Sequence, residues 1–342
     1  MTFGYIGSKY KLLDFIHSCA SKHIKITDKT TFGDLFAGTG VVGNYFKNKY
    51  GCQIISNDME LYSYHLNNAL LNCSYSEKLQ LIIDKLNNNE YSINNDNLIT
   101  QTYCNYKECN RNFFSVENGL KIDYCMGVIK TLQLTPLEYS FLTASLLTAV
   151  NKIANTTGVY GAYLKHIKKA AQNKLLIKPI HTSQNKDNNK VYNENIENIK
   201  EDIDVLYLDP PYSSRQYASN YFLLNYIILY DKNVKIKGKT GIIEEWNRSN
   251  FCSKPKIKDS LEKVLNNVKC RYLLFSYSNE GLLSINELKH IFKTYFKEVY
   301  VYQQEYNRYK SARGEAAASR CETKGSAAKR CVIEYLFVCS NV

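Results

Sequence analysis

Apolar residues recur along this chain with two different periods. In residues 10–19, Leu12, Leu13, Phe15 and Ile16 fall at helical spacing. Residues 31–36 then form a short apolar run, which predicts a buried strand entering a glycine-rich turn. After Gly40 the run Val41-Val42-Gly43-Asn44-Tyr45-Phe46 predicts a helix, and Gln53-Ile54-Ile55-Ser56 a second strand that stops at Asn57-Asp58. Strand, helix and strand in this order make a βαβ unit, the repeating part of a parallel sheet.

Residues 62–89 keep the helical period. From there to about Val191 the chain is rich in Asn, Lys, Tyr and Thr without strand alternation, which predicts an inserted helical segment with loops. Within it, Thr135-Pro136-Leu137-Glu138 before an apolar run is a helix start, with Thr135 as N-cap and Pro136 in the first turn. The Asn-rich residues 184–190 read as an exposed turn. Strand patterns resume at 205–208 and 272–277. A last pair, 298–302 and 331–338, alternates like an antiparallel hairpin at a sheet edge, split by a loop at 311–329 that is rich in Ala, Ser and Gly. The fold class expected is α/β, a doubly wound Rossmann-like sheet built from residues 1–70 and 191–342, with a mainly helical insertion at 71–190.

Composition narrows the possible partners. A chain of 342 residues that is 44% hydrophobic can bury one large core with a smaller module attached. A formal net charge of +12 favours a polyanion such as nucleic acid. Lysine is spread over the whole chain, so a merely soluble basic surface stays open as a reading of charge alone. Eleven cysteines, an odd number scattered without a repeated C-x-x-C pair, predict reduced thiols in a cytoplasm; Cys104 and Cys109, the closest pair, have no companion pair at zinc-like spacing, so no metal is expected. The N-terminus lacks a signal-peptide core, and no window reaches the roughly 18 apolar residues of a membrane helix. A cytoplasmic protein with no membrane partner is expected.

Three local patterns carry chemistry. Asp34-Leu35-Phe36-Ala37-Gly38-Thr39-Gly40 lies where a strand turns into a helix, and its glycines let a ligand press against backbone. Asp58, at the end of the second strand, stands at the distance from which a carboxylate accepts hydrogen bonds from ribose hydroxyls. This pair alone also fits a nicotinamide dehydrogenase or a tight turn that binds nothing. The third pattern, Asp209-Pro210-Pro211-Tyr212, directly follows the strand 205–208. Two prolines remove backbone donors and fix φ, which leaves a rigid loop rich in acceptors. An exocyclic base amine needs such acceptors, because its lone pair is delocalised into the ring until its hydrogens are held out of plane. Tyr212 can stack on a base, a contact worth roughly 1–3 kcal/mol.

Phe3-Gly4-Tyr5-Ile6-Gly7-Ser8-Lys9-Tyr10-Lys11-Leu12-Leu13, the glycine loop, Asn57-Asp58 and Asp209 to Tyr212 together resemble the Dam-like, alpha-group adenine-N6 DNA methyltransferases of restriction–modification systems. Ser213-Ser214-Arg215-Gln216-Tyr217, Tyr221 and Tyr306-Asn307-Arg308-Tyr309-Lys310-Ser311 extend the likeness to the type II modification enzymes of that group. The resemblance implies a methyltransferase sheet with S-adenosylmethionine as cofactor. It implies that Tyr5, Gly7 and Lys9 close over its methionine end while Asp34, Phe36, Gly38, Gly40 and Asp58 line its site. Residues 71–190 would then hold the target-recognition region. One departure stands out: where such enzymes often carry an Asp before the catalytic strand, this chain reads Tyr192-Asn193-Glu194-Asn195.

The reaction so implied is site-specific transfer of a methyl group to adenine N6 in double-stranded DNA. The adenine would be flipped out of the stack into the Asp209 loop at a cost of a few kcal/mol. Lys165, Lys168, Lys169, Arg215 and Arg308 are the candidate DNA contacts, and a cognate restriction endonuclease acting on the same site is the candidate partner. Two rivals remain at this stage: a methyltransferase for an exocyclic amine of adenine or guanine in RNA, and a non-catalytic DNA-binding module on the same fold. No Pro-Cys pair of the cytosine-C5 type occurs.

Overall fold

The computed structural model describes residues 3–89, 97–182, 188–306 and 332–341. Its centre is a seven-stranded sheet of β1 (Thr31–Asp34), β2 (Gln53–Asn57), β3 (Lys190–Tyr192), β4 (Asp202–Leu208), β5 (Lys269–Ser278), β6 (Glu298–Tyr306) and β7 (Val332–Ser340). The spatial order is β3-β2-β1-β4-β5-β7-β6. All neighbouring pairs are parallel except those made by β7, which runs antiparallel between β5 and β6. The terminal hairpin therefore exists as expected, but only β6 is an edge strand. The mixed α/β architecture with a mostly parallel sheet follows the sequence pattern.

Alternation along each strand feeds two cores. Val205 and Tyr207 point into the larger one, with Phe32, Ile54, Leu274, Leu336 and Val338. Leu206 and Leu208 enter the other, with Leu273, Phe275, Phe337 and Cys339. A strand buried on both faces reads as a continuous apolar run, as 205–208 does. The second core is closed by two helices, Ile257–Asn267 and Ile285–Tyr295, whose buried positions recur at helical spacing.

The larger core extends without a break into the expected insertion. Residues 61–89 form two helices, α3 (Leu61–Asn72) and α4 (Glu77–Asn88), because Ser76 caps the second through Leu79 N–H. A long helix α7 (Pro136–Ile153) packs along α3, and α8 (Tyr217–Leu229) closes the same side. Thr135 caps α7 as read from the sequence, and Glu138 returns a bond to the Thr135 N–H at 2.8 Å to complete a capping box. The polar stretch also holds elements that the alternation did not predict: a two-residue ladder of Asn105–Tyr106 with Cys109–Asn110, and β3 itself, so that Lys190 starts a strand rather than ending a turn. Residues 184–187 of that turn and the loop 311–329 lie outside the described residues. Among the described residues no helix is long and apolar enough to cross a membrane.

The chain leaves β1 towards β2 and β3, then returns to place β4 on the other side of β1. At this switch point the loops after β1 and β4 diverge and open a crevice at the carboxyl ends of the strands. Thr135→Ala is expected to lower the unfolding free energy by about 1 kcal/mol, and Thr135→Ser by far less. Urea titration checks this; an unchanged midpoint for the alanine variant would remove the capping box from the stabilising contacts.

Candidate active site

The site begins with the chain's first residues. The Asn151 side chain, near the end of α7, accepts from Gly4 N–H at 3.0 Å, and the Ile6 N–H donates to the Tyr221 hydroxyl at 2.7 Å. Tyr217 in turn donates to the Ile6 carbonyl at 3.2 Å. Gly7 then turns with φ +79, and a Cβ there would stand 2.8 Å from the Tyr217 hydroxyl, so the segment can cross α8 this closely only with glycine. Ser8 caps a short 3-10 turn, Lys9–Leu12, that carries Lys9 under the loop after β4.

Lys9 is not a solvated lysine. Its side chain is 4% exposed, and its ammonium pairs with Asp209 Oδ2 at 2.9 Å and donates to the Gly7 carbonyl at 3.2 Å. Asp209 Oδ1 accepts from the Tyr212 hydroxyl at 2.7 Å. Tyr212 is half-buried, packs edge-on against Tyr277 at 5.1 Å between centroids, and carries the Lys9 ammonium 4.8 Å above its ring. Burial and the two nearby carboxylates raise the Tyr212 hydroxyl well above its ordinary pKa, so it stays a neutral donor. Pro210 and Pro211 are buried.

On the other side of the switch point, Asp34 Oδ2 accepts from Gly43 N–H at 2.9 Å in the first turn of the helix Val41–Tyr50. Its second oxygen, Oδ1, is buried without a hydrogen-bond partner among the described residues. Burial pushes this carboxyl up to about 7. Gly38 holds φ +51 with the Tyr5 ring 3.0 Å from where a Cβ would be. Asp58 braces the loop: its Oδ2 accepts from Gly38 N–H at 2.8 Å and its Oδ1 from Glu60 N–H at 2.9 Å. Asn57 links the same loop to the segment after β3, donating to the carbonyls of Leu35 and Glu194.

These pieces line one cleft at the carboxyl edge of the sheet. Of the residues picked from the sequence, Tyr5, Gly7, Lys9, Asp34, Phe36, Gly38, Asp58, Asp209 and Pro211 line it. Gly40 does not. It sits behind the loop at φ +72, where a Cβ would meet the Asn67 side chain at 2.5 Å, so its contribution is to the turn. A second, wider cavity adjoins the first, sharing Tyr5, Lys9, Asp209 and Tyr217 with it and adding Pro210, Tyr212, Arg215 and Glu334.

Several lining residues were not picked from the sequence. Glu60 is buried, its carboxyl pushed up to about 8 by desolvation and by Asp58, and it accepts from Asn225 at 2.7 Å. Its signal was only that it follows Asp58 by two places. Glu194, Asn195 and Ile196 take the wall where the expected Asp is missing. Gln216 is paired by two hydrogen bonds to the Ser249 backbone, which brings that loop to the rim. Of the basic candidates, Lys165, Lys169 and Arg215 are exposed, whereas the Lys168 ammonium is committed to the Thr156 carbonyl at 2.6 Å. Arg308 lies outside the described residues.

Comparison with known proteins agrees with this geometry. The chain is 42% identical over 322 residues to the type II methyltransferase M.NlaIII of Neisseria lactamica, covering 91% of this chain and 93% of that protein. It is 40% identical over 300 residues to the type II methyltransferase M.CviAII of Paramecium bursaria Chlorella virus 1, with 86% and 89% covered. The likeness to the type II methyltransferase M.FokI of Planomicrobium okeanokoites, 38% over 333 residues, covers 92% of this chain and 50% of that longer protein. Residues 5–312 match one family over most of the chain's length, and the chain belongs to it: the D12 class N6 adenine-specific DNA methyltransferases.

Proposed function

We propose that the chain is the modification enzyme of a type II restriction–modification system, using S-adenosylmethionine to methylate N6 of an adenine turned out of duplex DNA. The observation that carries this reading is the place of Asp209, on the wall shared by the two cavities. One cavity takes the cofactor and the other the base, and the groups that react meet at Asp209.

The residues of the first cleft fit the cofactor. The unpartnered Asp34 Oδ1 offers a buried acceptor for the ammonium of its amino-acid end. Asp58 and Glu60 offer carboxylate oxygens to ribose hydroxyls, and Phe36 and Ile196 apolar surface to its ring. Bound there, S-adenosylmethionine would supply a methyl group on a positively charged sulfur. Asp209 and the Pro210 carbonyl accept the two hydrogens of the adenine amine, which frees the nitrogen lone pair for direct in-line attack. Holding the reactants together supplies much of the rate, and no covalent enzyme intermediate is required.

Residues 71–190 serve as the target-recognition region in this reading. The loop after α7 reaches the site, since Tyr160 N–H donates to the Asn220 carbonyl at 2.7 Å. Lys165, Lys169 and Arg215 then face DNA phosphates, while Lys168 holds its own loop. The partner expected is an endonuclease that cuts the same unmethylated sequence.

Digestion of treated DNA to nucleosides and mass spectrometry with a deuterated methyl donor tests the function: labelled N6-methyldeoxyadenosine is expected, and label confined to deoxycytidine would overturn the reading. Asp209→Asn should lower methylation by at least about a hundredfold while leaving cofactor affinity within a few-fold; near-normal methylation would remove Asp209 from the chemistry. A cation binds Asp34 only when that carboxyl is ionised, so cofactor affinity should rise with pH, about fivefold between pH 6 and 7 for a group titrating near 7. Asp34→Asn should flatten that rise in calorimetry. The same slope in the variant would transfer it to Asp58 or Glu60, which burial also raises.

A further inference from the structure

Resting on the reading that Asp209 accepts the target amine, we infer that Glu334 is a positioning residue that receives Lys9 and the Tyr212 hydroxyl when the amine arrives. Glu334 lies on β7, 125 residues beyond Asp209 and outside every motif read from the sequence.

Both oxygens of Asp209 are already engaged, one by the Tyr212 hydroxyl at 2.7 Å and one by the Lys9 ammonium at 2.9 Å. A carboxylate neutralised by a buried cation is a weak acceptor for an incoming amine. Loosening of those two donors strengthens Asp209 as an acceptor, and the Lys9 ammonium, 4% exposed, cannot turn to water. The structure offers them one shared alternative. Glu334 Oε2 stands 4.0 Å from the Lys9 ammonium and 3.3 Å from the Tyr212 hydroxyl. A shift of about one ångström by the ammonium would convert the first distance into a direct bond.

Burial argues the same way. The Glu334 side chain is 7% exposed, on a strand whose other buried positions before the final Ser340 are apolar, among them Val332, Leu336 and Val338. A buried carboxylate is costly unless it is paired. Glu334 sets a second carboxylate within reach of the same ammonium. A network that exchanges partners needs it, because Lys9 then keeps a counter-ion whichever way Asp209 is occupied. No proton moves in this exchange; the ammonium and both carboxylates keep their charges.

The test is single-turnover methylation of DNA lacking N6-methyladenine, with radiolabelled S-adenosylmethionine, titrated in DNA. Glu334→Gln keeps the shape and removes the charge. It should lower the saturating rate about tenfold or more, with cofactor affinity and unfolding midpoint unchanged. Glu334→Asp, which keeps the charge with a shorter reach, should fall between. Because the two groups act as one unit, Lys9→Met and Glu334→Gln combined should lose less than the product of the single losses. A wild-type rate for Glu334→Gln, a loss matched by weaker cofactor binding or a lower midpoint, or multiplicative losses in the pair would each overturn the inference. Should Glu334→Gln not fold, Glu334→Asp decides: a reduced saturating rate with intact cofactor affinity supports the role, and a wild-type rate overturns it. Asp209→Asn measured beside them separates the two readings. Normal methylation by Asp209→Asn defeats the role of Asp209 itself, whereas an inactive Asp209→Asn with a wild-type Glu334→Gln defeats only the exchange.

Discussion

The buried ion pair between Lys9 and Asp209 joins the chain's first residues to the loop that follows the central strand, and both cavities are walled by it. With Lys9 4% exposed, its ammonium depends on this pairing and on Glu334 nearby. The segment that delivers Lys9 is therefore fixed along its length. Asn151 holds Gly4, Tyr217 and Tyr221 hold Ile6, and Gly7 makes the turn that lets Tyr217 stand beside it. The pair and its supports make the wall between the two cavities a property of the folded chain.

Behind this wall lies a group of tyrosines that keeps acidic groups dry. Tyr5 stacks on Tyr221 at 4.6 Å between centroids and shares a hydrogen bond with Tyr62 at 3.0 Å. Burial and the nearby Asp58 raise the hydroxyls of Tyr5 and Tyr62, so they stay neutral. The same dryness raises Asp34, Asp58 and Glu60. A cleft with three carboxylates held above their usual range favours a ligand that brings positive charge, as a sulfonium and an ammonium do.

Much of this was legible in the sequence, for identifiable reasons. The glycine loop, Asp58 and the Asp209 loop are contiguous signals whose chemistry depends on neighbours in the chain, and all three meet at the switch point. Strands β1, β2, β4 and β5 showed as apolar runs because both faces of the sheet are covered. What stayed hidden depends on contacts between distant residues. Strand β3 has three residues and none fully buried, so alternation gave no sign of it. The break between α3 and α4 rests on one capping serine. Gly40 reads like Gly38 in the motif, yet only the packing against Asn67 separates their tasks. Lys168 looks like its neighbours until its bond to Thr156 is seen. Glu334 is one acidic residue in an apolar strand, and its meaning comes from Lys9, 325 positions away.

In the proposed working complex the carboxylate of Asp209, paired with Lys9 in this structure, becomes the acceptor of the adenine amine. A crystal structure of the chain with an unreactive cofactor analogue and duplex DNA bearing its recognised adenine reads this directly. Expected are the adenine outside the helix, its N6 within about 3 Å of Asp209 and of the Pro210 carbonyl, and the Lys9 ammonium withdrawn from Asp209. An extrahelical adenine whose amine is held by other groups while the Lys9–Asp209 pair remains closed would contradict it.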